Sequence, residues 1–457
     1  MKNLRNLSFI AIGDGISKVV AFIATPYIAI KLQPDTFGIV GVITSIYTFM
    51  VVFVQFGTNE FGILKVSPNR MIENIRVTLG NIISSRLWIL LILTPLCIFG
   101  IFIFNFLLKY WALIAAGLIN LFALSIALDW VFTAIEEMWI PSLIRMLSRI
   151  VYAVFIFAFV KTPNDAFIAI LIQGIAELFV VLSLWMILYK REAIVFKIIS
   201  FKNSLSILRR AFPIFLTTVS VAVFGNADVI LLGWMKESME VGYYNAALKV
   251  LIIGKSIRIT LGPFIFPKVV KVLSISKERS QNFLKIIQVY ATAVAIAIAY
   301  SGFLYASQII KLIFGSQYIN SAPIFAILIW VAFFDIIGIV YTYFVFSINQ
   351  KLYAKIIIAS SVINIILNTI LIRTMGAIGS AISYVISSAM IAIICYIVMY
   401  HHDVRSNIWR DICLPVILGV GSIYVAYILV KPVSAIYSSV LGVLAFIALL
   451  FLLKVVR

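Results

Sequence analysis

Of 457 residues, 63% are apolar and only 12% are charged, where roughly a quarter would be charged in a soluble protein. Such a chain cannot cover soluble domains with polar surface, and apolar runs of about 18 residues or more recur along it, which excludes soluble-enzyme, disordered and fibrous readings. The net charge is +19; in a membrane protein that surplus belongs to cytoplasmic loops, so no nucleic-acid partner is expected.

The chain reads as an all-α polytopic membrane protein, because hydrocarbon offers backbone N–H and C=O groups no partner outside a helix. Fourteen apolar segments follow in order: 7–30, 36–57, 79–104, 111–135, 143–160, 166–188, 211–233, 243–266, 286–306, 323–347, 356–372, 377–400, 412–430 and 435–453. Each is long enough to cross a core of about 30 Å at 1.5 Å per residue. No small-residue cleavage pattern follows the first, which is read as a retained helix.

The basic residues test this drawing. With the N-terminus cytoplasmic, 24 of the 36 Lys and Arg fall at inward termini, connections and helix starts, and seven in outward connections. Five remain inside spans: Lys18, Arg86, Lys249, Lys255 and Arg258. That asymmetry places both termini in the cytoplasm. No connection is long enough for a soluble domain, so the chemistry belongs between helices.

The longest inward connection, 189–210, is basic and divides the chain. A six-helix lobe, 1–188, precedes it; a second, 211–400, follows, and 401–457 forms a peripheral helix pair. Asp35-Thr36-Phe37-Gly38 opens span 2, and Met239-Glu240-Val241-Gly242 opens span 8 in a similar way. Read as a repeat, six helices per copy give both copies the same direction and a central cavity at their interface. The alternative is shared turn chemistry, with glycine as the usual turn residue.

A charge at the bilayer centre costs at least a few kcal/mol and normally faces protein or water. Asp14 and Lys18 lie four apart on one face of span 1; they form either a self-neutralising structural pair or a gate facing the cavity. Lys255 and Arg258 share a face of span 8, with no acid on that helix to neutralise them, and mark an anion-binding position. Lys249 lies nearer the outer end, where its head can snorkel. Arg86, with Arg145 and Arg149, either extends a cationic lining or sits at the inner headgroups. Among the acids, Glu177 pairs along its helix with Gln173, and Asp335 stands alone in an apolar stretch; both are candidate proton or sodium coupling sites. Asp129 and Asp228 lie about a turn from span ends and read as solvated. Asn364 and Asn368 read as bonds between helices.

No P-loop, no Ser/His/Asp set, no HExxH and no cysteine cluster is present, which argues against ATP-driven transport and against catalysis on a substrate. Neither a metal nor a cofactor is expected, apart from coupling to a proton or sodium gradient.

Six stretches carry a family resemblance. They are Leu32-Gln33-Pro34-Asp35-Thr36-Phe37-Gly38, Asn226-Ala227-Asp228-Val229-Ile230-Leu231-Leu232-Gly233, and Val241-Gly242-Tyr243-Tyr244-Asn245-Ala246-Ala247-Leu248-Lys249. Ile265-Phe266-Pro267, Phe314-Gly315-Ser316-Gln317-Tyr318 and Gly376-Ala377-Ile378-Gly379-Ser380-Ala381 complete the set. In this order and spacing the chain resembles the Wzx-type oligosaccharide-lipid flippases of the polysaccharide transport family. These belong to the multidrug/oligosaccharidyl-lipid/polysaccharide exporter superfamily. The resemblance implies two six-helix lobes in a V that opens alternately to each side of the bacterial cytoplasmic (inner) membrane. It implies an undecaprenyl-pyrophosphate-linked glycan of O-antigen or capsule type as substrate. A basic cavity would hold the glycan, with Lys18, Lys255 and Arg258 as this chain's version of it and Asp14 as a coupling or gating acid. Membrane lipid, a glycan polymerase and a chain-length regulator are the implied partners. Fourteen spans rather than twelve depart from the usual count of that family.

Two rivals remain. A multidrug cation antiporter of the same superfamily needs an acidic cavity, against which the span 8 cations count. A membrane glycosyltransferase or glycan polymerase needs a sizeable extramembrane loop, and none is present.

Overall fold

The computed structural model describes all residues except 1, 104–108, 193–199, 274–276, 403–408, 431–440, 447 and 450–457. The expected last span, 435–453, and Lys197 of the basic connection fall largely or wholly outside the described residues. The side chain of Asp14 lies outside them too.

Helices account for nearly all of the described chain, and no strand occurs among the described residues. In order they are α1 Lys2–Gln55, α2 Thr58–Val66, α3 Ile72–Ile103, α4 Trp111–Ser125, α5 Asp129–Ala134, α6 Trp139–Phe159 and α7 Ala166–Glu192. There follow α8 Phe201–Met235, α9 Ser238–Leu273, α10 Lys277–Leu304, α11 Ala306–Phe314, α12 Ser321–Ile337, α13 Ile339–Ile348, α14 Gln350–His401 and α15 Leu414–Val430. Large apolar side chains such as Leu91, Val154, Phe159, Leu182 and Met186 point outward, while Ser84, Ser85, Glu177, Asp228, Asn364, Asn368 and Ser383 are buried. This reverses the soluble pattern and is what a hydrocarbon solvent selects.

Among the described residues, nine helical stretches are long and apolar enough to cross a membrane, or eleven if each of two bent pairs counts as one span. The sequence led to fourteen. Two of the nine, Gly15–Val66 and Gln350–His401, run 52 residues each, about 78 Å at 1.5 Å per residue. Each covers two of the expected segments around a local break. In α1 the break is Gln33 (φ 62°) before Pro34, whose ring removes a backbone donor. In α14 it is Gly376 (φ 58°, ψ −134°), a conformation open to glycine.

The chain divides into two compact units. The first comprises Met1–Ala222 with Glu237–Gly242. In it α1 packs on α6, α4 on α7, and α6 on α7. Its core gathers Leu79, Ile82 and Ile83 of α3, Trp130, Val131 and Phe132 of α5, and Val180 and Leu184 of α7. The second comprises Val223–Lys236 and Tyr243–Arg457. There α12 packs between α10 and α14, α13 lies along α14, and α15 along α10.

The two similar sequence stretches meet inside the first unit. The Ser238 hydroxyl donates to Asp35 Oδ1. A Cβ added to Gly38 would fall on the Ser238 carbonyl oxygen, and one added to Gly242 on the Pro34 carbonyl oxygen. Backbones this close admit only glycine. Gly38→Ala and Gly242→Ala are therefore each expected to lower the thermal unfolding midpoint of the purified protein. Gly421→Ala, whose Cβ meets nothing within 4 Å, is not expected to lower it. A wild-type midpoint for both of the first two would show that the contact is absent.

Candidate functional site

In the second unit, α9 carries Lys255 and Arg258 one turn apart, and α12 brings Asp335 to them. Lys255 Nζ lies 3.2 Å from Asp335 Oδ2, and Arg258 Nη1 3.5 Å from Oδ1. Lys255 also donates to the Tyr384 hydroxyl of α14 at 2.8 Å, and its ammonium stands 5.0 Å from the centre of that ring. Arg258 donates to Thr342 Oγ1 at 3.3 Å. The sequence left Asp335 alone and the two cations without an acid on their own helix. The fold pairs Asp335 with both cations, and the neutralising acid arrives from a helix other than their own. One carboxylate answers two cations, so the cluster keeps a unit of positive charge. The side chains of Lys255 and Arg258 remain 27% and 25% exposed. A guanidinium with five donors has capacity beyond these contacts.

In the first unit one cluster of charges balances. Arg145 of α6 lies 2.6 Å from Asp129 of α5 and 3.7 Å from Glu177 of α7. Arg149 reaches the other oxygen of Glu177 at 2.8 Å. Two guanidiniums thus face two carboxylates. Asp129, read as solvated, is an ion-pair partner. Glu177, read with Gln173 of its own helix, pairs with α6 instead.

Arg86 on α3 is fully buried. Its Nε donates to Thr58 Oγ1 at 2.8 Å, Nη2 to Asn59 Oδ1 at 2.7 Å, and Nη1 to the Ala127 carbonyl at 3.3 Å. Thr58 and Asn59 follow the left-handed turn at Phe56 and Gly57, and Ala127 lies between α4 and α5. Arg86 therefore fastens two helix breaks and, enclosed, presents nothing to a ligand. Lys18, in the first unit, is exposed. Lys249, on α9, is half-buried, and no hydrogen-bond or ion-pair partner for it occurs among the described residues.

Sequence reasoning missed Asp228. Read as solvated, it is fully buried. Its Oδ2 accepts from the Tyr244 hydroxyl at 3.1 Å and the Gly225 amide at 3.2 Å. Its Oδ1 accepts from Asn368 Nδ2 at 2.8 Å, and Ser380 donates to Asn368 Oδ1 at 2.8 Å. The cause is a break inside α8, where Phe224 is extended and Gly225 has φ 83°. The helix restarts at Gly225, and Asp228, three residues on, returns its carboxylate to that first amide as half of a capping box. Gly-x-x-Asp was the available signal. Asn364 and Asn368 were expected to bond between helices; Asn368 does so by joining α14 to α8.

The family model described as polysaccharide biosynthesis protein matches residues 3–273. The chain belongs to that family. A member-like relative from Escherichia coli (strain K12), named for O-antigen transport, is 23% identical over 399 residues, which cover 85% of this chain and 94% of the relative. Among solved structures, the lipid II flippase MurJ in an inward closed conformation superposes with a TM-score of 0.78 at 15% identity, covering 98% of this chain and 99% of MurJ. An inward-facing multidrug resistance MATE transporter of the MOP superfamily gives 0.66 at 14% identity, covering 88% and 98%. At these identities the two structures establish a shared fold for this polysaccharide biosynthesis protein.

Proposed function

We propose that this polysaccharide biosynthesis protein is a lipid-linked glycan flippase, a transporter and not an enzyme. Its substrate is an oligosaccharide repeat unit on undecaprenyl pyrophosphate, of O-antigen or capsule type, carried from the inner to the outer leaflet of the bacterial cytoplasmic membrane by alternating access. The arrangement that goes with this reading is fourteen crossings with both ends cytoplasmic: lobes 1–188 and 211–400, joined by 189–210, with 401–457 as a peripheral pair. The observation that carries the reading is the positive surplus of the Lys255–Arg258–Asp335 cluster in a chain whose family makes polysaccharides. A pyrophosphate and a row of hydroxyls cannot enter hydrocarbon without replacement for their lost water contacts. Two cations with charge-assisted donors replace them for the phosphates.

Lys255 and Arg258 are the leading headgroup ligands, with exposed Lys18 a third. Arg145 and Arg149 are already matched by acids and come after these; Arg86 serves the fold. Asp335 and Glu177, each facing two cations, are coupling candidates alongside Asp14, with a proton or sodium gradient as the driving force. Membrane lipid receives the tail, and a glycan polymerase and chain-length regulator act on the product. The relative named for O-antigen transport supports this reading. A multidrug cation antiporter shares the fold, but a positive cluster repels its substrate. Deleting the gene is expected to leave lipid-linked repeat units facing the cytoplasm, and re-expression to restore surface glycan. A deletion strain with normal surface glycan would refute the proposal.

A further inference from the structure

Two clusters of the second unit touch one side chain. Tyr384 of α14, itself buried, accepts the Lys255 ammonium at 2.8 Å. The same ring stacks on Phe224 with centroids 5.8 Å apart and planes at 28°. A Cβ on Gly225 would lie 3.8 Å from Tyr384 Cε1, in ordinary van der Waals contact. Phe224 and Gly225 form the break in α8 that the Asp228 carboxylate caps through the Gly225 amide. Thus the ring that braces the break also bears the hydroxyl that tethers the cation.

We propose that Tyr384 is a positioning residue that couples the Asp228-capped break of α8 to the Lys255 ammonium. The proposal rests on the reading of Lys255 as a headgroup ligand. If the carboxylate releases the Gly225 amide, the break relaxes, Phe224 shifts, and the ring stacked on it carries the Lys255 tether along. The groups facing Asp228 are Tyr244 of α9, Asn368 of α14 and the Gly225 amide of its own helix, with the charge of Lys255 also acting on it. Those facing the ammonium are Tyr384 and Asp335. Packed interiors pass such shifts on because they interdigitate with few voids. If Tyr384 only filled space, replacing it would leave the direct charge effect between Asp228 and Lys255 as it was.

The test is a double-mutant cycle on the full-length protein in lipid nanodiscs. Its lysines carry isotope-labelled methyl groups from reductive dimethylation, which keeps their charge, and Lys255→Arg identifies the Lys255 resonance. Asp228→Asn is expected to displace that resonance in the Tyr384 protein and to displace it less than a third as far in Tyr384→Leu. Equal displacements, including none in either, overturn the proposal. Should Tyr384→Leu fail to fold, the cycle is read in Tyr384→Phe, which keeps the brace and loses the tether; there the displacement is expected to fall by more than half, and an undiminished one overturns the proposal. Titration with sodium pyrophosphate separates the underlying reading. Coupling without a pyrophosphate response at Lys255 removes the headgroup role and leaves the Tyr384 link standing. A pyrophosphate response without coupling removes the link alone.

Discussion

Lys255→Ala/Arg258→Ala is expected to abolish glycan export, by about 100-fold or more, if each cation contributes a charge-assisted contact of about 1.5–3 kcal/mol to the translocated headgroup. The double variant alone is an ambiguous test, because it leaves Asp335, only 15% exposed, without either partner. An orphaned buried carboxylate costs several kcal/mol and can prevent folding. Adding Asp335→Asn removes that charge, so the triple variant tests the Lys255–Arg258–Asp335 cluster as a whole without an orphaned carboxylate. It should insert at wild-type levels and still fail to export. Asp335→Asn by itself frees both cations and raises the surplus from one positive charge to two. Tighter capture and slower release follow, seen as lower export with more lipid-linked glycan bound to the purified protein. Normal export by the triple variant would remove these cations from the transport path.

Arg86→Ala is expected to have the largest effect on stability, roughly 3–5 kcal/mol. Three acceptors, Thr58 Oγ1, Asn59 Oδ1 and the Ala127 carbonyl, lose their donors, those of Thr58 and Ala127 on buried residues, and a cavity opens between two helix breaks. Part of that loss is offset because a buried guanidinium is itself costly to desolvate. Arg86→Lys should rescue poorly: an ammonium on a flexible stem does not reproduce a planar fork aimed in three directions. Denaturant titration of detergent-purified protein measures the loss. A midpoint equal to that of the wild type would show that Arg86 fastens nothing.

Apolar run length gave the helical, multi-pass architecture, and six short stretches gave the family. Lys255 and Arg258 were legible as a pair because helical spacing is local. Their acid was not, since Asp335 reaches them only through the packing of α12 on its neighbours, which spacing along one helix cannot express. The same limit hid the match of Arg145 and Arg149 to Asp129 and Glu177. Arg86 read either as a lining residue or as one at the inner headgroups, because depth in a span says nothing about which face is covered. Asp228 was misjudged for a different reason. Its distance from a span end suggested water, whereas the Phe224–Gly225 break turns that stretch into a buried helix start. Two pairs of expected spans run through the bends at Gln33 and Gly376 as single long helices, so a count of helices falls below a count of apolar segments.

Sealed proteoliposomes holding the purified protein and an undecaprenyl-pyrophosphate-linked oligosaccharide offer the most direct measurement, with the glycan on the far leaflet read by a membrane-impermeant glycosidase over time. The account predicts transfer far faster than in protein-free vesicles, and a return to the protein-free rate with the Lys255→Ala/Arg258→Ala/Asp335→Asn protein. Equal transfer with and without the wild-type protein would contradict it.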